Sequence, residues 1–159
     1  MEFPVHIPFV EALGFELVRL GAGEAELAVM LRPEHLNSWS VAHGGLLMTL
    51  LDVAMAHAAR SRGETINDMD RGVVTIEMKA SFMRPGEGRL VATGRVLERT
   101  TTMAFCEGSV HNEAGQLCAH ATGSFKFLKA LPTGRTLKPL RGGRLRTDAH
   151  GSARRSSIR

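Results

Sequence analysis

Apolar and polar side chains alternate along most of the chain, and one long stretch that is almost entirely apolar interrupts them. Alternation with a period of two is the pattern of a β-strand that is buried on one face. It predicts six strands, at residues 15–20, 24–31, 74–82, 88–99, 103–111 and 116–128. The third strand is predicted to divide into an apolar face of Val74, Ile76, Met78, Ala80 and Phe82 and a polar face of Thr75, Glu77, Lys79 and Ser81.

The almost entirely apolar stretch covers residues 44–61 and predicts the one long helix. A helix that is apolar nearly all round is enclosed by the rest of its protein. Residues 32–42, which contain Pro33 and Asn37, predict a loop that leads into this helix. A short helix is expected after Pro8.

The order of these elements favours an α+β fold. Two strands precede the long helix, four follow it, and the turns between the last four are short enough for hairpins. A curved, largely antiparallel sheet wrapped around the helix would bury the apolar faces of both. Such a sheet leaves edges and one face open, so we expect a homo-oligomer, either a dimer or a dimer of dimers.

The positive charge is concentrated at one end of the sequence. Eight of the 20 Lys and Arg residues, but one of the 16 Asp and Glu residues, fall within residues 132–159. That segment therefore carries +7, whereas residues 1–131 carry −3. Because it has few large apolar residues and no aromatic residue, we interpret it as a flexible basic tail on a domain of residues 1–131, and nucleic-acid binding is not expected.

Composition excludes several classes of protein. A length of 159 residues suits one domain, and 2 cysteines are too few for a disulfide scaffold. The first residues do not resemble a signal peptide, and no apolar run is long enough to span a membrane, so a cytoplasmic protein is expected. Neither a metal-ligand spacing nor a nucleotide-binding fingerprint occurs, so no cofactor is expected.

Candidate catalytic residues lie in the loop before the long helix and in the first half of that helix. Backbone N–H groups at a helix N-terminus lack partners within the helix, and the glycines of His43-Gly44-Gly45 would let a substrate oxygen approach them. Asp52 is a lone carboxylate within the apolar helix. Asn37 lies in the preceding loop and offers an amide to water or a carbonyl group.

The spacing of two of these residues suggests a shared site. Gly44 and Asp52 are eight residues apart, which is about 12 Å along a helix. That distance is too long for both to act on one small reacting centre within a single chain. If both act, Gly44 of one subunit and Asp52 of another must meet at a dimer interface.

The stretch from Asn37 to Asp52, N-S-W-S-V-A-H-G-G-L-L-M-T-L-L-D, resembles the hotdog-fold acyl-CoA thioesterases of the PaaI-like group. The resemblance extends from about residue 14 to residue 128. It implies a thioester hydrolase in which Asp52 is the general base or the nucleophile and the Gly44 N–H holds the oxyanion. Asn37 would orient water or the leaving group, and His43 would assist at the carbonyl or brace the loop.

The same resemblance implies further site residues. Thr75 would help to position water, Gly45 would contact the substrate, and Arg84 would bind the phosphates of CoA. Two other functions stay open at this point. One is an acyl-CoA-binding or sensing domain that does not hydrolyse its ligand, and the other is a dehydratase or hydratase of the same fold.

Overall fold

The computed structural model describes residues 1–61, 72–129, 131 and 133–136. The elements follow the predicted order, with a short 3₁₀ turn at Pro33–His35 in the loop before the long helix. They are α1 (Pro8–Ala12), β1 (Glu16–Gly21), β2 (Glu24–Met30), α2 (Gly44–Arg60), β3 (Gly72–Phe82), β4 (Arg89–Arg99), β5 (Met103–His111) and β6 (Leu117–Leu128).

All six strands form one antiparallel sheet in the order β1-β2-β4-β5-β6-β3. The predicted α+β class and antiparallel pairing are therefore confirmed. β3 precedes β4 in sequence but pairs with β6, so it forms one edge of the sheet, and β1 forms the other. Among the described residues, both edge strands leave one row of backbone groups without a strand partner.

The long helix α2 lies across the sheet and contacts all six strands. Eleven of its seventeen residues are buried, including Leu50, Leu51, Ala54 and Met55 with no exposed surface. This confirms the predicted enclosed helix. The other six form one open stripe along the helix, which consists of Gly44, Gly45, Met48, Thr49, Asp52 and Ala56.

A correction concerns the faces of β3. A β-bulge lies between Thr75 and Glu77, where Thr75 pairs with Phe125 and Glu77 pairs with Ser124. The extra residue reverses the alternation, because side chains along a strand point to opposite faces in turn. Thr75 therefore shares the helix-facing side with the buried Phe125, and Ile76 is 55 % exposed. The predicted polar face was wrong for Thr75.

Two predicted segments lie outside the described residues. The proposed basic tail, residues 132–159, is described at residues 133–136 alone, so the division at residue 131 stays a prediction. Most of the predicted loop at residues 63–72 also lies outside them. No helix within the described ranges is long and apolar enough to cross a membrane.

The helix and the sheet approach each other most closely at Gly94 of β4. A Cβ atom placed there would lie 2.5 Å from the carbonyl carbon of Ala54, 2.6 Å from its oxygen and 2.7 Å from the Met55 nitrogen. These neighbours are backbone atoms of α2, which cannot move aside as the tip of a side chain can. Glycine is therefore required at this crossing.

Gly94→Ala is expected to lower the free energy of unfolding by about 3 kcal/mol, the upper range for overpacking of a core. The measurement is urea denaturation followed by circular dichroism, with Gly44→Ala as the control. A Cβ at Gly44 would meet its nearest neighbour, the Phe82 ring, at an ordinary 3.7 Å. Equal stability of the two variants would contradict the close crossing.

Candidate active site

The first turn of α2 leaves one backbone N–H free. His43 caps the helix in an extended conformation, and its Nδ1 accepts a hydrogen bond from the Gly45 N–H at 2.9 Å. The Leu46 and Leu47 N–H groups donate to the His43 carbonyl. Among the described residues, no acceptor is found for the Gly44 N–H. Gly44 therefore presents a free donor at the positive end of the helix dipole.

The hydrogen bond by which His43 caps the helix also determines the tautomer of its neutral ring. Because Nδ1 accepts from Gly45, the proton of the neutral imidazole lies on Nε2. The ring is exposed, so this Nε2–H faces solvent. The Gly45 N–H is occupied by the same bond, which distinguishes Gly45 from Gly44 as a possible donor to a substrate.

The loop that carries Asn37 is tied by its own side chain. Asn37 Oδ1 accepts from the N–H groups of Trp39 at 2.8 Å and Val41 at 3.4 Å, and the Asn37 N–H donates to the Val41 carbonyl at 2.8 Å. The first two bonds use the amide oxygen of the side chain. Within the described part of the chain the Nδ2 group has no partner, so it is the end of the side chain that can hold a ligand.

A cleft of about 290 Å³ brings three of the sequence-predicted residues together: Asn37, Gly44 and Arg84. Arg84 follows β3 and is exposed, and one of its guanidinium nitrogens donates to the Leu117 carbonyl at 3.2 Å. The rest of the cleft is largely apolar and is formed by Val41, Ala42, Leu47, Phe82, Met83, Pro85 and Gly86.

Asp52 and Thr75 form a second group of site residues. Asp52 is half-buried on the open stripe of α2, and the Thr75 hydroxyl donates to its Oδ1 at 2.7 Å. Burial raises the pKa of the Asp52 carboxyl, and the Thr75 hydrogen bond opposes that shift. Among the described residues no cation pairs with this carboxylate. The bulge in β3 is what brings Thr75 to it.

The two groups lie along the same helix and the same edge strand. Gly44 packs near the Phe82 ring at the end of β3, and Asp52 meets Thr75 near its start. The helix places Gly44 and Asp52 about 12 Å apart. Within one protomer, the free Gly44 N–H and the Asp52 carboxylate are therefore too far apart to contact the same small group.

Sequence reasoning missed two residues that shape the site. The buried His35 accepts the Arg32 N–H on its Nδ1 at 3.1 Å, and its carbonyl accepts the His43 N–H at 2.9 Å, which braces the entrance of α2. Phe82 was predicted on the apolar face of its strand, but half of its surface is exposed and it lines the cleft. The alternation of β3 indicates its face, and nothing in the sequence indicates that the strand ends at a cleft.

Comparison with known proteins decides the family. The family model described as the thioesterase superfamily matches residues 40–119, the segment that carries His43, Gly44, Asp52 and Thr75. The chain belongs to the thioesterase superfamily. It is therefore a thioester hydrolase, and the hotdog fold implied by its resemblance to the PaaI-like group is confirmed.

Individual relatives support the same membership in the superfamily. The thioesterase is 33 % identical over 135 residues to the medium/long-chain acyl-CoA thioesterase YigI of Escherichia coli strain K12, covering 77 % of this chain and 87 % of YigI. Its structure is similar to that of the conserved protein PA5202 from Pseudomonas aeruginosa, with a TM-score of 0.73, 30 % identity and coverage of 79 % and 97 %.

A second solved structure is a mutant of the phenylacetic acid degradation protein PaaI from Thermus thermophilus. It is 32 % identical to this thioesterase, with a TM-score of 0.67 and coverage of 77 % of this chain and all of the other. These likenesses place the superfamily fold over most of the described chain.

Replacing Thr75 is expected to change the titration of Asp52. Thr75→Val removes the hydrogen bond that lowers the pKa of the Asp52 carboxyl, so burial acts unopposed and the pKa rises further. Thr75→Ser keeps a hydroxyl and serves as the control. The measurement is a pH titration of the Asp52 carboxyl carbon by NMR, and an unchanged midpoint in Thr75→Val would show that the hydrogen bond is not formed.

Proposed function

We propose that the protein hydrolyses acyl-CoA thioesters to the free acid and CoA. The observation that carries the proposal is the half-buried Asp52 carboxylate, held by Thr75 on the helix whose first N–H is free. A buried carboxylate without a cation is unfavourable for the fold, and its retention favours a chemical role. The similarity to YigI, a medium/long-chain acyl-CoA thioesterase, favours medium- and long-chain acyl groups as the substrate class.

In the proposed reaction the thioester carbonyl accepts a hydrogen bond from the Gly44 N–H. Negative charge develops on that oxygen as the carbonyl carbon becomes tetrahedral. The helix dipole and the N–H stabilise it, and such a donor contributes about 10²–10³ in rate. The glycine at this position keeps the approach to the backbone open.

Asp52 acts on the carbonyl carbon, as a general base or as a nucleophile. As a base it takes a proton from water while the water oxygen bonds to the carbon, and returns that proton to the departing CoA sulfur. As a nucleophile its oxygen bonds to the carbon and the C–S bond breaks, which releases the CoA thiolate and leaves an anhydride. Water then cleaves the anhydride to the free acid and the Asp52 carboxylate, and a proton from that water neutralises the thiolate. The raised pKa of the Asp52 carboxyl suits either role, because a more basic carboxylate is both a better proton acceptor and a better nucleophile.

The remaining site residues bind and orient. Asn37 holds the attacking water or the leaving group with its Nδ2. The hydrogen bond from Thr75 orients the Asp52 carboxylate. Arg84 meets the CoA phosphates at the cleft, for which a guanidinium is well suited. His43 braces the loop through Nδ1 and offers its Nε2–H towards the carbonyl, and Gly45 lets the substrate pass close to the helix.

The complete site is assembled in a homodimer, which can pair further into a dimer of dimers. β3 is an edge strand of 11 residues, long enough to pair with the β3 of a second copy. Antiparallel pairing sets the Thr75 end of one β3 against the Phe82 end of the other. Asp52 of one protomer then meets Gly44, Asn37 and Arg84 of its partner, which removes the separation of about 12 Å within one chain.

Gly44→Pro is expected to reduce kcat for thiol release from medium- and long-chain acyl-CoAs by about 10²–10³. Proline removes the N–H, yet it suits the first position of a helix, and the extended His43 before it is compatible with proline. The control is Gly44→Ala, which keeps the N–H. Equal activity of the two variants would exclude the Gly44 N–H as the oxyanion donor.

Mixing two inactive variants tests the shared site. Asp52→Asn should reduce kcat by about 10²–10⁴ on its own. When Asp52→Asn and Gly44→Pro chains are reassembled together, mixed dimers contain one intact site, and about a quarter of the wild-type activity should return. No recovery in verified mixed dimers would place both groups in one protomer. Binding of acyl-CoA by the wild type without thiol release would favour a sensing domain instead.

A further inference from the structure

The most exposed large apolar side chain of the described residues stands beside the cleft. Trp39 is 84 % exposed, and it is the only tryptophan of the chain. Its backbone is fixed, because its N–H donates to Asn37 Oδ1 and the Ser40 N–H donates to the Asn37 carbonyl. Ser40 is held at a φ of 61°, a left-handed conformation that is unfavourable for a residue other than glycine. The loop thus holds the Trp39 backbone in a defined place.

The neighbours of Trp39 in the sequence place its backbone close to the cleft. Asn37 and Val41, two residues before and after it, both line the cleft. Two residues of chain span at most about 7 Å, so the Trp39 backbone lies within that distance of two lining residues. Arg84 lies in the same cleft and supplies positive charge.

The surroundings of the indole favour one part of an acyl-CoA. An acyl chain gains most when apolar walls enclose it, and a ring that is 84 % exposed encloses nothing. A purine gains by stacking flat on one aromatic face while its other face stays in water. In CoA the adenine and its phosphates are joined to the thioester by the narrow pantetheine arm. A cleft of about 290 Å³ can admit that arm, which leaves the nucleotide outside at the mouth.

We propose that Trp39 stacks on the adenine ring of the bound CoA nucleotide, beside the Arg84 guanidinium. The indole is thereby a specificity-determining residue that favours CoA thioesters over thioesters that lack the nucleotide. This inference rests on the proposed acyl-CoA hydrolysis and names a contact for the non-reacting end of the substrate.

The test compares an acyl-CoA with the acyl-pantetheine that carries the same acyl group. In Trp39→Ala, the ratio of kcat/KM for acyl-CoA to kcat/KM for acyl-pantetheine should fall about 5- to 100-fold, the range of one base–aromatic stack. The lower ratio should result from a higher KM for acyl-CoA, and Trp39→Phe should restore much of the ratio. Phe9→Ala, which removes a ring that is 61 % exposed on α1, is the matched control and should leave the ratio unchanged.

Fluorescence gives a second measurement that does not depend on turnover. The chain has one tryptophan and no tyrosine, so excitation at long ultraviolet wavelength reports Trp39 alone. Adenosine 3′,5′-bisphosphate should quench this emission saturably, and pantetheine should not.

Three results would overturn the proposal. An equal fall for both substrates would place the indole against the acyl chain or the pantetheine arm. An unchanged ratio with altered oligomeric mass would show that a second copy covers Trp39. Absence of quenching by the bisphosphate would exclude stacking. If the wild type hydrolysed neither substrate, the proposed hydrolysis would fail, whereas saturable quenching would still support nucleotide binding at Trp39.

Discussion

The fit of one helix against one curved sheet is the constraint on which the rest of this thioesterase depends. α2 contacts all six strands, and at Gly94 the helix backbone comes so near that no side chain fits between. This contact buries most of the helix and leaves one open stripe. Asp52 is on that stripe, half-buried, where burial raises the pKa of its carboxyl without enclosing it completely. The contact between α2 and the sheet therefore determines both how the helix packs and how far the pKa of Asp52 is raised.

The start of the same helix has the opposite electrostatic character. The His43 cap satisfies the Gly45 N–H and leaves the Gly44 N–H free, so one donor remains at the positive end of the dipole. The brace beneath it is a backbone hydrogen bond between His35 and His43. The helix thus carries a free hydrogen-bond donor at its start and a carboxyl group of raised pKa in its middle, and the rigidity of α2 keeps the two apart.

Much of the architecture could be predicted because it follows from periodicity. The helix, the strands and their antiparallel pairing depend on side-chain patterns that tolerate errors of a residue or two at each end. The face of Thr75 could not be predicted, because one bulge at Ile76 reverses the alternation, and the bulged segment Thr75–Glu77 itself contains no glycine or proline. Likewise, Phe82 has the position of a core residue, but its surroundings depend on where the following loop turns. Residues next to the site are the ones where local pattern and tertiary placement disagree.

In the proposed dimer, the edge strand β3 forms the contact between protomers and also carries residues of the active site. β3 carries Thr75 at one end and Phe82 at the other, so the strand whose edge needs a partner also spans both halves of the site. Pairing of two such edges is favourable for the sheet whether or not substrate is present. Gly44 and Asp52 are about 12 Å apart on α2, so one protomer cannot act alone. The two-fold symmetry of the dimer brings Gly44 of each protomer to Asp52 of the other and so forms two equivalent sites. Dissociation would then abolish both sites together, while each protomer could keep its fold.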